Sequence, residues 1–217
     1  MTEEGYEFPT LPVGTIAPGQ TVLVVGRGRL ASQVARKLIF DGGHEDGAVF
    51  VSTGSSGRTL VEDCINSYPS MDLANLGIVD ATGRSDVVTD TAARMEAVSS
   101  TADLTGISIK SSILWTDLQK RGIDRVRTCY DSLSLLLLYT DFRTIMRFVH
   151  TVDGRVSAMD GFGVFVLDPS MHDPQVEHTL AHVCDGVIEV REERVGNPDL
   201  RVDGLPGQEV GWQSMDL

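Results

Sequence analysis

The sequence predicts an α/β domain of three layers, with helices on both faces of a mainly parallel sheet and antiparallel strands at the C-terminal end. Three observations carry that prediction. Short runs such as Val22–Val25 and Gly163–Leu167 are apolar at almost every position, as strands buried on both faces are. Segments with apolar residues three and four apart separate these runs, as at Leu30, Val34 and Leu38. The two kinds of segment alternate along the chain, the pattern of a sheet built from crossover units.

In chain order, residues 1–20 contain three prolines and three glycines and read as an extended lead-in that turns at Pro18–Gly19. Residues 21–217 read as a single domain, a length that suits one sizeable core. Val22–Val25 is the first strand, and a glycine-and-arginine turn leads from it into a helix through Phe40. Asp41–Gly47 is a polar loop, Ala48–Ser52 a second buried strand and Thr53–Gly57 a small-residue loop. A helix from Arg58 to about Ser67 shows an apolar face of Leu60, Val61, Cys64 and Ile65. Leu76–Asp80 reads as a third strand. The polar stretch from Ala81 to Met95 gives no assignment, and Glu96–Ser99 reads as a short strand.

Leu104–Lys120 has helical spacing and stops at Arg121–Gly122. Val126–Asp131 is a strand that closes on an acid, and Ser134–Tyr139 begins a buried helix. Asp141 suits the N-cap of another helix, in which Phe142, Ile145, Val149 and Val152 repeat. Gly163–Leu167 ends in Asp168–Pro169, Pro174–Cys184 is a helix, and Gly186–Glu193 is a strand. Gly196–Gln213 reads as a hairpin or a pair of edge strands.

Charge narrows the function classes. Acidic residues number 31 against 18 basic, a net charge of −13, which argues against nucleic acid and anionic membrane as partners. Lysine is nearly absent, at Lys37, Lys110 and Lys120 alone. An acidic, lysine-poor surface is what a cytosol of very high salt selects; an ordinary acidic protein is the plainer alternative. Cys64, Cys129 and Cys184 are odd in number and lack CxxC spacing, which suits reduced thiols in a cytoplasmic protein. The N-terminal decapeptide is acidic without an apolar core, so it does not read as a signal peptide, and no apolar run reaches the ~20 residues needed to span a bilayer.

The chemistry concentrates in Thr21–Phe40, TVLVVGRGRLASQVARKLIF. Strand, glycine turn and helix in that order aim backbone N–H groups and the helix dipole at an anion. Two readings of the turn are open. Gly26-x-Gly28-x-x-Ala31 fits a dinucleotide fingerprint, which makes an NAD(P)-dependent Rossmann oxidoreductase the alternative. Its expected acid at the end of the second strand is missing, Ser52 and Thr53 standing there, although Arg58 could meet a 2′-phosphate. The second reading is a degraded P-loop, in which Ala31 takes the second glycine's place, Ser32 the phosphate-reaching lysine's and Gln33 that of the magnesium-binding hydroxyl.

The second half of the chain favours the P-loop. DRVRTCYDSLSLLLLY (Asp124–Tyr139) places an acid at a strand tip, before Ser132 and a buried helix. It resembles the Walker B segment of RecA- and KaiC-like ATPases. DGRVSAMDGFGVFVLDPSMHDPQVEHTLAHVCDGVIEV (Asp153–Val190) is similar to the same family, and so is the lead-in LPVGTIAPGQTVLVVG. The likeness covers nearly the whole chain and is closest to the degenerate KaiC-like proteins common in halophilic archaea. It implies a RecA-like P-loop NTPase core, in which Asp131 would orient magnesium or its water shell if Mg-nucleotide binds at all.

The family needs a P-loop lysine, a hydroxyl for magnesium and an acid that activates water. Ser32 and Gln33 replace the first two, and Thr53–Ser56, where the family's glutamates would fall, contains no carboxylate. Losing one positioned charged contact typically costs ~3 kcal/mol of transition-state stabilisation, and three are lost together. The expectation is therefore a pseudo-ATPase serving regulation, signalling or assembly, with protein partners or further copies of itself and no catalytic residues. The sequence makes no cofactor certain, and ATP or ADP with magnesium is the candidate for residual binding. Gly26, Arg27, Gly28, Arg29, Ser32, Gln33, Asp131 and Ser132 are the residues a nucleotide would meet. The plainer reading of Arg27 and Arg29 is surface charge, and that of Asp131 is a cap for the next helix.

Other constellations carry less. His178 and His182 stand four apart on one helix, near His172, Asp173 and Glu177, a possible metal spacing. They project away from the Val176, Leu180 and Val183 stripe, which suits a solvated face. GSSG at Gly54–Gly57 does not fit a nucleophile elbow. Trp115 and Trp212 suit packing against the body or tail of the domain.

Overall fold

The structure, a computed structural model, describes residues 5–42, 45–83, 91–192 and 197–216. Parts of five expected segments lie outside the described residues: the first four of the lead-in, residues 43–44 of the polar loop, residues 84–90 of the turn-rich stretch, residue 193 at the end of the expected strand, and residue 196 at the start of the tail.

The lead-in is a hairpin, β1 (Tyr6–Phe8) against β2 (Val13–Ile16). β3 (Gln20–Val25) passes through the glycine turn into α1 (Leu30–Phe40). Next come β4 (Gly47–Ser52), α2 (Gly57–Ser67), β5 (Leu76–Asp80) and β6 (Arg94–Ala97). They are followed by α3 (Leu104–Lys120), β7 (Val126–Asp131), α4 (Leu133–Tyr139) and α5 (Phe142–Ala158). β8 (Phe162–Leu167), α6 (Pro174–Ala181), β9 (Gly186–Arg191), β10 (Asp199–Asp203) and β11 (Gln213–Ser214) complete the order. α6 stops three residues before the expected Cys184. There the Asp185 N–H and carboxylate bond Thr21 of β3, at 3.0 and 2.8 Å, and draw the chain into β9.

Among the described residues the main sheet has nine strands in the order β11-β10-β9-β3-β8-β7-β4-β5-β6. β9 through β6 run parallel, and β10 and β11 add antiparallel pairs at the C-terminal edge. The order decides between the two readings of the turn. A Rossmann sheet sets the first strand beside its sequence neighbour. Here β8 and β7 stand between β3 and β4, as in a RecA-like sheet. The dinucleotide alternative is corrected accordingly.

The uniformly apolar strands are buried on both faces because period two sends alternate side chains into different layers. Val22 and Val24 enter a core with α1, while Leu23 and Val25 enter a second core with Ile107, Leu114 and Val149 of α3 and α5. The hairpin closes the first core at the N-terminal ends of the strands, with Tyr6 and Ile16 fully enclosed and Tyr6 tilted on Phe162 at 5.6 Å. Burial pushes the Tyr6 phenol up to about 12; the Asp46 charge adds to the rise, against Arg125 and Arg127.

An ion cluster pins the hairpin down. Arg127, 1% exposed on β7, donates to Asp46 at 2.8 Å, to the Leu38 carbonyl at 2.8 Å and to the Glu7 carbonyl at 3.1 Å. Arg125 meets the other Asp46 oxygen at 2.9 Å and lies 4.5 Å from the Tyr6 ring centroid. A buried guanidinium this fully partnered is tolerated; an unpartnered one is not.

Candidate functional site

Helix starts in this chain are mostly capped locally. Ser56, Asp103, Ser132, Asp141 and Asp173 each accept a backbone N–H two or three residues on, which satisfies donors that a helix start leaves orphaned. α1 differs. Its N-cap is Arg29, which supplies no side-chain bond. The positive end of α1 therefore faces the cleft formed at the C-terminal tips of β3, β4, β7 and β8.

The glycines of the turn are there for different reasons. A Cβ on Gly26 would lie 2.2 Å from the Val190 side chain, so β9 packs too closely for any larger residue. Gly28 has φ +61 with open space around its missing Cβ, so its backbone angle is what glycine relieves.

A cleft of about 300 Å³ contains Gly26, Gly28, Arg29, Ser32 and Gln33 from the turn and α1, with Asp131 and Ser132 from the tip of β7. Seven of the eight nucleotide-facing residues expected from the sequence thus share one cavity. Arg27 does not: it is exposed on the far side of the turn, in a neighbouring hollow with Trp212 and Arg191. Trp212 there lies under the Arg191 guanidinium at 4.1 Å, and Trp115 is buried in the core. Arg58 lies exposed on α2, in a separate hollow with Val61 and Glu62.

The Ser32 hydroxyl donates to Asp131 Oδ1 at 2.8 Å. Burial pushes the Asp131 carboxyl above the ordinary carboxylate value, while the Ser32 bond and the Arg36 charge pull it back. Asp131 also holds the neighbouring loop through its backbone. Its carbonyl accepts from the Thr53 N–H and hydroxyl at 2.9 and 3.0 Å, and Thr53 Oγ1 accepts from the Ser132 N–H at 2.8 Å. Ser132 in turn caps α4. The small-residue loop after β4 is therefore clamped to the tip of β7, and Gly54 and Ser55 form that wall of the cleft.

Two charged residues of the cleft were not singled out from the sequence. Arg36 lies one turn beyond Ser32 on the same helical face and pairs with Asp63 at 2.5 Å. Asp168, at the tip of β8, accepts the Gly28 N–H at 2.8 Å. Its other oxygen takes the Ser170 N–H at 2.9 Å and hydroxyl at 2.6 Å. Burial acts to raise its carboxyl, but the bonds from Ser170 and Gly28 and the Arg27 charge prevail and hold it below the ordinary value. The available signal was an acid at the C-terminal tip of a strand, Asp168 just after β8 as Asp131 closes β7.

This set does not fit a magnesium nucleotide. The position that would carry an ammonium carries a hydroxyl tied to the acid, Gln33 offers no hydroxyl, and a chain carboxylate already occupies the Gly28 N–H. His178 on α6 and His182 at its C-cap are both exposed and face each other, Nε2 to Nε2 at 3.1 Å. Among the described residues no group of three or more His, Cys, Asp or Glu could hold a metal ion. No helix among them is long and apolar enough to cross a membrane.

Comparison with known proteins agrees with this architecture. The model of DUF7504, a family of unknown function, matches residues 19–190. The chain belongs to that family. No curated protein sequence matches it. Among solved structures, a KaiC-like protein of the hyperthermophilic archaeon Pyrococcus horikoshii superposes with a TM-score of 0.60 at 14% identity. The match covers 98% of this chain and 92% of that one. At that identity the likeness shows the fold, a KaiC/RecA-like one, within which this DUF7504 chain carries its own cleft chemistry.

Proposed function

We propose that this chain is a catalytically inactive RecA/KaiC-like domain that acts in regulation, signalling or assembly through protein contacts, including contacts with further copies of itself. The observation that carries the reading is the 2.8 Å bond from Ser32 to Asp131. It joins the residue at the P-loop lysine position to the acid at the magnesium position, where an ATPase of this fold needs a free ammonium and a metal-directed carboxylate. The absence of any carboxylate in Thr53–Ser56 supports the same reading, because the attacking water then lacks its base. Whatever nucleotide affinity persists runs through Gly26, Gly28, Arg29, Ser32 and Gln33, with Asp131 and Ser132 opposite, and without Arg27, which stands in the neighbouring hollow. The net charge of −13 disfavours nucleic acid as the partner and suits a high-salt cytoplasm.

A steady-state ATPase assay with magnesium in concentrated potassium chloride tests the proposal. No turnover above buffer is expected. Turnover that Asp131→Ala abolishes would overturn it.

A further inference from the structure

We propose that the outer face of α3 is a docking surface for an acidic amphipathic helix of a partner protein. This rests on reading the chain as one that acts through protein contacts, and it names the face that makes the contact and the chemistry that face takes.

α3 is apolar on two sides. Ile107, Leu114, Trp115 and Leu118 enter the second core, as one stripe of a surface helix does. Ile109 and Ile113, four apart on the outer side, are 54% and 43% exposed. An aliphatic pair on the solvent side adds nothing to the core, and one turn is the spacing at which a helix receives the anchors of another. The two isoleucines line a hollow of about 410 Å³ together with Thr116, Asp117, Lys120 and, from α5, Arg155.

Charge selects the occupant. Two of the chain's three lysines, Lys110 and Lys120, are on α3. Among the described residues no carboxylate pairs with Lys120 or Arg155. Arg155 donates instead to the Ser108 carbonyl and hydroxyl, at 3.2 and 3.3 Å. The acid of the lining, Asp117, is bonded to Arg94 at 2.7 Å, so the hollow keeps a net positive charge. The whole chain stands at −13. An acidic partner is therefore repelled by most of the surface and accepted where the sign reverses, which sets both its site and its orientation. An anionic bilayer meets the same repulsion and finds two cations here, where a lipid-binding patch gathers ~4–8.

Fluorescence anisotropy with two labelled helical peptides supplies the test, at the lowest potassium chloride concentration that preserves the native circular dichroism. One peptide has leucine at i, i+3, i+4 and i+7 and glutamate on its remaining face; the other has lysine in place of each glutamate. The native chain is expected to bind the acidic peptide and not the basic one, although net charge alone would order them the other way. Ile113→Gln should weaken acidic-peptide binding by about tenfold, the worth of one buried aliphatic side chain. Lys120→Glu should weaken it by about fivefold, and by less as salt rises. Ile65→Gln alters an isoleucine 58% exposed on α2 and should leave the affinity where it was. Hydrogen exchange on the native chain needs no variant: the acidic peptide should slow exchange in Leu104–Lys120 and not in Gly57–Ser67. No detectable binding of the acidic peptide, equal or tighter binding of the basic one, unchanged affinity in Ile113→Gln and Lys120→Glu, or sedimentation with phosphatidylserine vesicles in place of peptide binding would each overturn the proposal. ATP turnover by the native chain would refute the inactive reading, whereas these outcomes bear on the α3 face alone.

Discussion

Ser32 and Asp131, separated by 99 positions in the chain, are joined hydroxyl to carboxylate at 2.8 Å across the cleft between α1 and β7. A lysine at position 32 would compete with magnesium for the acid only weakly and would reach past it to phosphate. A serine is short, so it stops at the acid and satisfies it. Burial is what raises the proton affinity of that carboxylate, and the Ser32 bond and the Arg36 charge offset the rise only in part.

A pH dependence of stability follows. Ionising Asp131 costs the folded chain more than the unfolded one, because burial raises its carboxyl above the ordinary value of 3.8. Stability from this group is fully present below that value and is lost as pH rises through the folded pKa. Asp168 and Asp141 shift the opposite way, so their contribution is present above the ordinary value and lost as pH falls through their lowered ones. The difference between the native chain and Asp131→Asn isolates the first effect. In urea melts, the variant should gain on the native chain as pH rises from 3.8 and level off above the folded pKa. A pH-independent difference would contradict the assignment.

Restoring the two missing P-loop groups should separate binding from catalysis. Ser32→Lys with Gln33→Thr supplies an ammonium and a magnesium-directed hydroxyl, and it releases Asp131 from its bond to Ser32. Mg-ATP affinity is expected to rise by about tenfold or more, as one charged contact contributes ~1.5–3 kcal/mol. Phosphate release should stay at background, because Thr53–Ser56 still has no base. Calorimetry and a phosphate-release assay on the same preparation check both halves.

Much of this architecture was legible in the residues, for reasons of period and punctuation. Val22–Val25 and Ala48–Ser52 read as buried strands because almost every position is apolar, and Leu104–Lys120 read to the residue from its helical spacing and the stop at Arg121–Gly122. The cleft was partly legible: Ser32, Gln33 and Asp131 stand at motif positions. Asp168 was not, because the role of an acid at a strand tip depends on which strand lies beside which, and β8 adjoins β3 only in the folded sheet. The hairpin was hidden for a similar reason. Tyr6 and Phe8 are too few to show a period, and what holds them, Arg125 and Arg127, is 120 positions away.

The thiols should be unreactive until the chain unfolds. Burial pushes Cys64 and Cys184 up to about 12 and holds Cys129, in the core, well above the ordinary thiol value, so little nucleophilic thiolate exists near neutral pH. Native protein mixed with a thiol-reactive chromogenic disulfide at pH 7.5 should react slowly, and denatured protein should release three equivalents at once. Fast reaction of one thiol in the native state would show that its surroundings open.

The Asp46 cluster should show an asymmetry between its partners. Asp46 serves two guanidiniums, Arg127 at 2.8 Å and Arg125 at 2.9 Å, and only Arg127 is buried to 1% exposure. Asp46→Ala leaves that buried cation with carbonyl partners alone, and removing one member of a buried pair costs ~3–5 kcal/mol. Arg127→Met removes the buried charge itself and leaves Asp46 paired with Arg125, so its cost should be clearly smaller despite the Leu38 and Glu7 carbonyls it leaves unmet. Guanidinium-chloride unfolding would confound the measurement by screening charge, so urea is the denaturant of choice. Because Glu7 lies on β1, Asp46→Ala should also expose the hairpin to proteolysis before the rest of the chain. Equal destabilisation by the two variants would mean that the pair contributes through packing against Tyr6 and Phe8, rather than through charge.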